Sequence, residues 1–408
     1  MDDITAAVRA MYEAFPYPAA GAPQLRTATD VRLLLSYATR SRPPGQPLRV
    51  LDAGCGRGVG VMGAATLQPD VQFLGIDLNR VALAEAQAEA ARRQLANVTF
   101  QEVDLMTLAG LQPPPGGFDV VYSSGVVHHL SDPAAGLARL TAVLAPHGVL
   151  ALMVYGRHGR ESVYRLARAI DYLCPRDRPL TERLDILRGV VRHAAAETIE
   201  GRPFTNLQQT DDAELVDRYL NVNENSYDVA ALFKLVEAGG LRFLRWSEPS
   251  EWAVETLFPP GPLLERALKL PARAQFALVD ELRWRPRLEV ILARPDNAPR
   301  FPPPPEALAT TMLAVNPEVS FQTSLRNLRG DARLESFSYR LRANPPVAVA
   351  SGIMASALLL LRDQNRPFRG DALLNNLHKE GATREQAASA VWQLVAGEVL
   401  YCPHPADV

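Results

Sequence analysis

Between residues 48 and 156, short apolar runs rich in Val, Ile and Leu alternate with longer stretches of helical character. The runs at 48–51, 71–76, 98–103, 118–122 and 148–154 are nearly continuous in apolar residues, which predicts strands buried on both faces. Between them the clearest helix is predicted at 80–95, where Ala and Glu dominate. Asp132-Pro133 opens another, with Asp as N-cap and Pro at the first helical position. Strict alternation of this kind predicts a parallel, doubly wound α/β sheet. The alternation pauses after Tyr155 and resumes with a helix at 229–238, stopped by Gly239-Gly240, and strands at 241–246 and 288–293. The mostly polar residues 157–225 are therefore expected to form a helical insertion at the C-terminal edge of the strands, where open α/β sheets bind ligands. That position makes the insertion a lid candidate.

Proline then divides the chain. Pro295, Pro299 and the run Pro302-Pro-Pro-Pro305 can join neither a helix nor a central strand, and predict a stiff linker and a domain boundary. Beyond it, residues 306–408 show helices at 354–361, 370–377 and 383–396 and a short strand or wing at 397–402, a winged-helix-like layout. The apolar stretch 345–361 is short for a membrane span and contains Ser351, Gly352 and Ser356, so a buried core segment is expected. Hydrophobic residues make up 47% and charged residues 22% of the 408, with a net charge of −2. This balance fits a globular protein and argues against broad nucleic-acid binding. Cys55, Cys174 and Cys402 are odd in number and far apart, fitting neither a disulfide framework nor a zinc site. The start Met1-Asp-Asp-Ile lacks the basic and apolar regions of a signal peptide, and a cytoplasmic location is expected.

The first strand runs into Asp52-Ala-Gly54-Cys55-Gly56-Arg-Gly58. Glycines here let the backbone turn tightly and approach a ligand, with a helix N-terminus behind them. Val59 stands where a nicotinamide-binding fingerprint has its third glycine, and no Gly-Lys-Ser/Thr follows as in a phosphate P-loop. Further acids end the second and third strands, in Gly75-Ile-Asp77-Leu78 and Val103-Asp104-Leu105. Asp77 can accept two ribose hydroxyls. Asp104 can accept from an adenine amine while Leu105 lies against the ring. The fourth strand leads into Ser123-Ser124-Gly125 and then His128-His129.

Together these segments resemble the successive motifs of class I S-adenosylmethionine-dependent methyltransferases, over residues 30–160 and more loosely 226–295. The resemblance implies a Rossmann-like, seven-stranded sheet ending in an antiparallel strand, supplied by 288–293. It implies S-adenosylmethionine as cofactor. The methionine part would lie over Gly54, Cys55 and Gly56 with Asp52 near its amino group, the ribose on Asp77 and Leu78, and the adenine on Asp104 and Leu105. Ser123 or Ser124 would meet the methionyl backbone. Tyr12 and Tyr17, before the sheet, either close over the sulfonium or pack on the core. His128 and His129 are the candidates for a general base, with a structural role as the alternative. Arg157 and Arg160 either hold an anionic substrate group or are solvated loop charges.

The expected organisation is an N-terminal helical segment (1–30) over the cofactor site, a methyltransferase domain (31–156 and 226–295), the lid (157–225) and the C-terminal domain (306–408). The expected reaction is methyl transfer to an O or N nucleophile of a small molecule. The alternative is a protein side chain of lysine type, held partly by the C-terminal domain. That domain also offers a surface for a homodimer, and its layout loosely resembles regulatory domains of bacterial protein methyltransferases. No metal is expected.

Overall fold

The computed structural model describes residues 2–17, 30–193, 207–328, 331–342, 346–349 and 352–407, with the backbone alone at 323–328 and 331–336. The chain falls into two compact units, Met1–Ala28 with Pro47–Asn297 and Thr29–Gln46 with Ala298–Val408. Two helices precede the sheet, α1 (Asp3–Ala14) in the first unit and α2 (Val31–Ser36) in the second.

In the first unit, β1 (Arg49–Ala53), α3 (Val59–Leu67), β2 (Gln72–Asp77), α4 (Arg80–Arg92), β3 (Val98–Glu102), β4 (Phe118–Ser124), α5 (Pro133–Val143) and β5 (Leu144–Tyr155) follow in the expected alternation. The insertion holds α6 (Glu161–Leu173), α7 (Leu180–His193) and α8 (Asp212–Tyr219). It is followed by α9 (Val229–Ala238), β6 (Arg242–Trp246), α10 (Pro262–Leu268), α11 (Ala272–Leu282) and β7 (Arg287–Ala293). The sheet has seven strands in the order β3-β2-β1-β4-β5-β7-β6. Neighbours among β1 to β5 are parallel, and β7 is antiparallel to both β5 and β6. The fold is thus the Rossmann-like doubly wound sheet that the pattern predicts. The last strand in sequence does not end the sheet but lies inside it.

Leu51, Ile76, Val121 and Leu150 are fully buried, as strands covered on both faces require. Register aligns the tips: Asp52 pairs with Gly75 and with Tyr122, and Asp77 with Glu102. The insertion is a closed excursion. It leaves at Gly156 and returns to the same point, where Tyr227 bridges Gly156 and exchanges backbone hydrogen bonds with Tyr155 and Arg157. It carries its own core of Leu166, Ile170, Leu184, Leu187, Val191, Leu215 and Val216, joined by Met11 of α1. The N-terminal helix and the insertion therefore form one piece. Residues 18–29 of the N-terminal segment and 194–206 of the insertion lie outside the described residues.

The second unit contains β8 (Met312–Val315), β9 (Val319–Leu328), β10 (Asp331–Leu341), β11 (Val347–Val349), α12 (Ile353–Leu361), β12 (Phe368–Arg369), α13 (Gly370–Lys379), α14 (Arg384–Ala396) and β13 (Leu400–Tyr401). They make two three-stranded sheets, β12-β8-β13 and β11-β10-β9. The three helices stand close to where the sequence places them, whereas the long β9–β10 hairpin was not expected. In α12, Ala357, Leu358 and Leu361 are buried in this unit's core, and no described helix is long and apolar enough to cross a membrane.

Residues 29–46 belong here, not to the sheet domain that was expected to begin at 31. The reason is a set of specific bonds. Ala38 bridges Pro299, His404 Nε2 lies 3.0 Å from the Leu35 carbonyl, His404 Nδ1 lies 3.0 Å from the Ser41 hydroxyl, and Arg42 pairs with Asp407 at 2.9 Å. Val31, Leu33, Leu34 and Leu35 are buried.

Candidate active site

The turn from β1 into α3 is built by glycines in the left-handed region: Gly54, Gly56 and Gly58 have φ of 85°, 52° and 70°. A side chain would be strained there, and at Gly54 its Cβ would stand 2.3 Å from a methyl of Val126. The post-β4 turn is thereby pressed against the glycine loop. Gly56 N–H donates to Asp77 Oδ2 at 2.8 Å, and Asn79 N–H donates to Asp77 Oδ1 at 2.8 Å. Each Asp77 oxygen thus accepts one backbone bond and keeps a lone pair for a ligand. Burial still pushes the Asp77 carboxyl above its ordinary value, against the lowering effect of these bonds.

Asp52 is different. Its carboxyl accepts no hydrogen bond from the described residues, and burial, then the Asp77 charge, push it up to about 7. A half-buried acid without a donor among the described residues, beside a second acid, is chemically incomplete, and a ligand ammonium would complete it. The loop therefore fits the amino-acid end of S-adenosylmethionine. Burial, and then the charges of Asp52 and Asp77, raise the Cys55 thiol well above the usual range, which disfavours the thiolate. Leu78 is partly exposed beside Asp77. On β3's tip, Asp104 Oδ1 accepts from Met106 N–H at 2.8 Å, and Leu105 is buried next to it.

The two serines separate. Ser123 is fully buried and its hydroxyl donates to the Ala53 carbonyl at 3.3 Å, tying β4 to β1. Ser124 is exposed at the sheet edge. Tyr12 and Tyr17 are both brought to the loop: Asn79 Nδ2 donates to the Tyr12 carbonyl at 2.7 Å, and a Cβ at Gly56 would lie 3.2 Å from the Tyr17 carbonyl.

Beyond the loop, a polar cluster fills the space between the tips of β4 and β5 and the insertion. His128 and His129 are buried, and their rings lie 4.2 Å apart. His129 Nδ1 is 2.8 Å from the Asn223 carbonyl, so this nitrogen carries the hydrogen and Nε2 the lone pair. That Nε2, and both ring nitrogens of His128, have no partner among the described residues. Burial lowers both imidazoles, His128 the more; Glu224 and the Asn223 carbonyl act to raise His129, whereas His129 and Arg160 lower His128 further.

Tyr155, at the tip of β5, has the His128 ring tilted against it with centroids 4.1 Å apart and the Arg160 guanidinium 3.5 Å from its ring centroid. Arg160 pairs with Glu224 at 3.1 Å and its Nε donates to the Tyr164 hydroxyl at 3.2 Å. Tyr12 O–H donates to Asp217 at 2.7 Å, and burial raises that carboxyl to about 6. Sequence reasoning did not single out Tyr155, Tyr164, Asp217, Asn223 or Glu224; the last three lie in a stretch whose polar character suited a solvated lid. Arg157 and Arg160 part company. Arg157 is exposed and pairs with Asp228 at 2.8 Å, while Arg160 is buried.

Comparison with known proteins agrees with this geometry. A family described as a methyltransferase domain matches residues 45–176. An uncharacterised protein of Synechococcus sp. is 32% identical over 303 residues, 69% of this chain and 69% of that protein. A ubiquinone biosynthesis O-methyltransferase of Albidiferax ferrireducens is 34% identical over 121 residues, 30% of this chain and 46% of that enzyme; the match thus spans about half of that relative. PKMT2 from Rickettsia typhi shares the fold with a TM-score of 0.63 at 16% identity, covering 95% of this chain and 77% of that one. With the glycine loop, the acids at the strand tips and these relatives in agreement, the chain belongs to the S-adenosylmethionine-dependent methyltransferases.

Proposed function

We propose that this enzyme transfers the methyl group of S-adenosylmethionine to an O or N nucleophile of a small molecule. The observation that carries the reading is the buried cluster beside the glycine loop, in which His128 is fully buried with both ring nitrogens unpartnered among the described residues. Buried polar atoms without partners point to a ligand that supplies them. The enclosure, under α6 to α8 and with the Arg160 and Glu224 side chains each 9% exposed, favours an acceptor small enough to enter.

When bound, the cofactor supplies a methyl carbon already activated by the sulfonium. The protein's part is to align the nucleophile and exclude water. Asp52 would pair with the cofactor's ammonium, Asp77 would accept from the ribose and Asp104 with Leu105 would receive the adenine. Leu78 would lie by the ribose, Ser124 and the backbone of Gly54, Cys55 and Gly56 would line the methionine part, and Tyr12 and Tyr17 would close the entrance. His129 takes the acceptor's proton at Nε2. Its Nδ1–H is fixed by the Asn223 carbonyl, and Glu224 supports the positive charge that forms.

The test is methyl transfer from radiolabelled S-adenosylmethionine to extracted metabolites and, separately, to proteins, each checked for a gain of 14 daltons. Label in the metabolite fraction, and a His129→Gln variant that binds S-adenosylhomocysteine normally but turns over about 10²- to 10⁴-fold more slowly, is the expected result. Label confined to proteins would overturn the small-molecule reading.

A further inference from the structure

Resting on the reading above, we infer that the acceptor site is built for an organic cation, so that the methylated atom is the nitrogen of an amine and not the oxygen of a carboxylate. The charges that face the cluster come from the insertion and from two strand tips. Asp217 lies on α8 and Glu224 on the segment that follows it; Arg160 lies at the start of α6; Asp52 and Asp77 stand at the strand tips. On the acceptor side Arg160 thus acts on the Asp217 and Glu224 carboxylates, the other nearby guanidinium, Arg218 of α8, is paired with Glu214, and burial lowers both imidazoles.

An incoming anion would need a free cation, and Arg160 is already engaged from every side. Glu224 takes its edge at 3.1 and 3.2 Å, the Tyr164 hydroxyl takes Nε at 3.2 Å, and Tyr155 covers its face at 3.5 Å. Arg157 is turned outward to Asp228. Displacing Glu224 would leave a buried carboxylate uncompensated, which is strongly unfavourable.

A cation meets the opposite situation. Asp217 is 6% exposed and accepts one hydrogen bond from the described side chains, from Tyr12 O–H, so most of its accepting capacity is open. Tyr155 and Tyr164 add aromatic faces, which attract cations. His129 Nε2 and one ring nitrogen of His128, without partners among the described residues, can accept hydrogens that an ammonium donates, since a neutral imidazole has one accepting nitrogen. In the reaction the ammonium gives one proton to His129 Nε2. The freed lone pair forms the N–C bond as the S–C bond breaks and its pair stays on sulfur, and the imidazolium then passes its proton to solvent.

The experiment uses the full chain saturated with S-adenosylhomocysteine at pH 7.5, titrated with two probes of similar size and opposite charge, phenethylamine and 3-phenylpropanoate. The amine is expected to bind at least ten-fold more tightly. Glu224→Gln, which frees Arg160, is expected to shift that ratio at least ten-fold toward the carboxylate. Asp217→Asn is expected to weaken the amine alone. Unchanged affinity for S-adenosylhomocysteine in both variants reports an intact fold. Equal binding, preference for the carboxylate, or no binding of either probe would overturn the inference while the methyltransferase reading stands. Failure of the wild-type chain to bind S-adenosylhomocysteine would instead remove that reading and the inference with it.

Discussion

The half-buried, donorless carboxyl of Asp52 makes cofactor binding depend on pH in a calculable way. In the free protein this group is held up to about 7 by burial and by Asp77. A ligand ammonium beside it restores the charged form, so binding draws the carboxyl back toward its ordinary range and releases a proton. Affinity then scales with the fraction ionised in the free protein. That fraction is about one in eleven at pH 6 and about three in four at pH 7.5, so affinity should rise about eight-fold, or ~1.2 kcal/mol, across this interval. S-adenosylhomocysteine is the convenient probe, because it keeps the ammonium. Calorimetry in buffers of different ionisation enthalpy should show about half a proton released at pH 7. Asp52→Asn should bind more weakly and lose most of the slope; Asp77, shifted in the same direction, would leave a residue of it. The same displacement makes the ligand-free protein less stable as pH rises from about 4 through about 7, since the raised group prefers its proton in the folded state. An affinity that ignores pH, or a slope unchanged in Asp52→Asn, would refute the reasoning.

Other consequences are equally open to measurement. Asp77→Ala removes a charged acceptor worth roughly 1.5–3 kcal/mol per hydrogen bond, so calorimetry should show cofactor affinity falling by more than ten-fold; unchanged affinity in a folded variant would contradict the assignment. Asp217, raised to about 6, holds its proton more tightly when folded. Its contribution to stability is therefore present at low pH and lost as pH rises from about 4 through about 6, on the order of 3 kcal/mol in all. Asp217→Asn should gain on the wild type in melting temperature between pH 5 and pH 8, and a gain in the other direction would show the sign to be wrong. A chain ending at Pro305 should expose the segment 29–46, which loses His404 as the partner of Leu35 and Ser41 and Asp407 as the partner of Arg42. Poorer solubility, cured by also deleting residues up to 46, is the expected result of an expression test.

The sheet was legible because strands buried on both faces are apolar at successive positions, and the acids that end them stand at a fixed place in the β-to-α turn. Partnership across long sequence distances was not legible. Arg157 and Arg160 sit three residues apart in the same loop, and only Asp228 and Glu224, more than sixty positions on, decide that one is outside and the other inside. His129 was named from its position after β4, but its tautomer comes from Asn223, in the segment after α8. The β9–β10 hairpin had a local signature that went unused. Val319, Phe321, Leu325 and then Leu334, Phe337, Tyr339, Leu341 recur largely at even spacing on either side of Gly330, the period of a half-buried strand. Nothing local marks residues 29–46 as the companions of a segment more than 250 residues away.

That last arrangement has a consequence for synthesis. The sheet of the first unit can close once β7 has emerged, but the second unit needs both residues 29–46 and residues 298–408. At about 5–20 residues per second, the apolar face of α2 must wait roughly 20–70 seconds before His404 and Asp407 leave the ribosome to meet Leu35 and Arg42. During that interval α2 is a sticky leader on an otherwise folding protein, a natural handle for a holding chaperone. A nascent chain stalled before His404 has emerged would keep it exposed, so that such copies carry a mark that the folded second unit has buried.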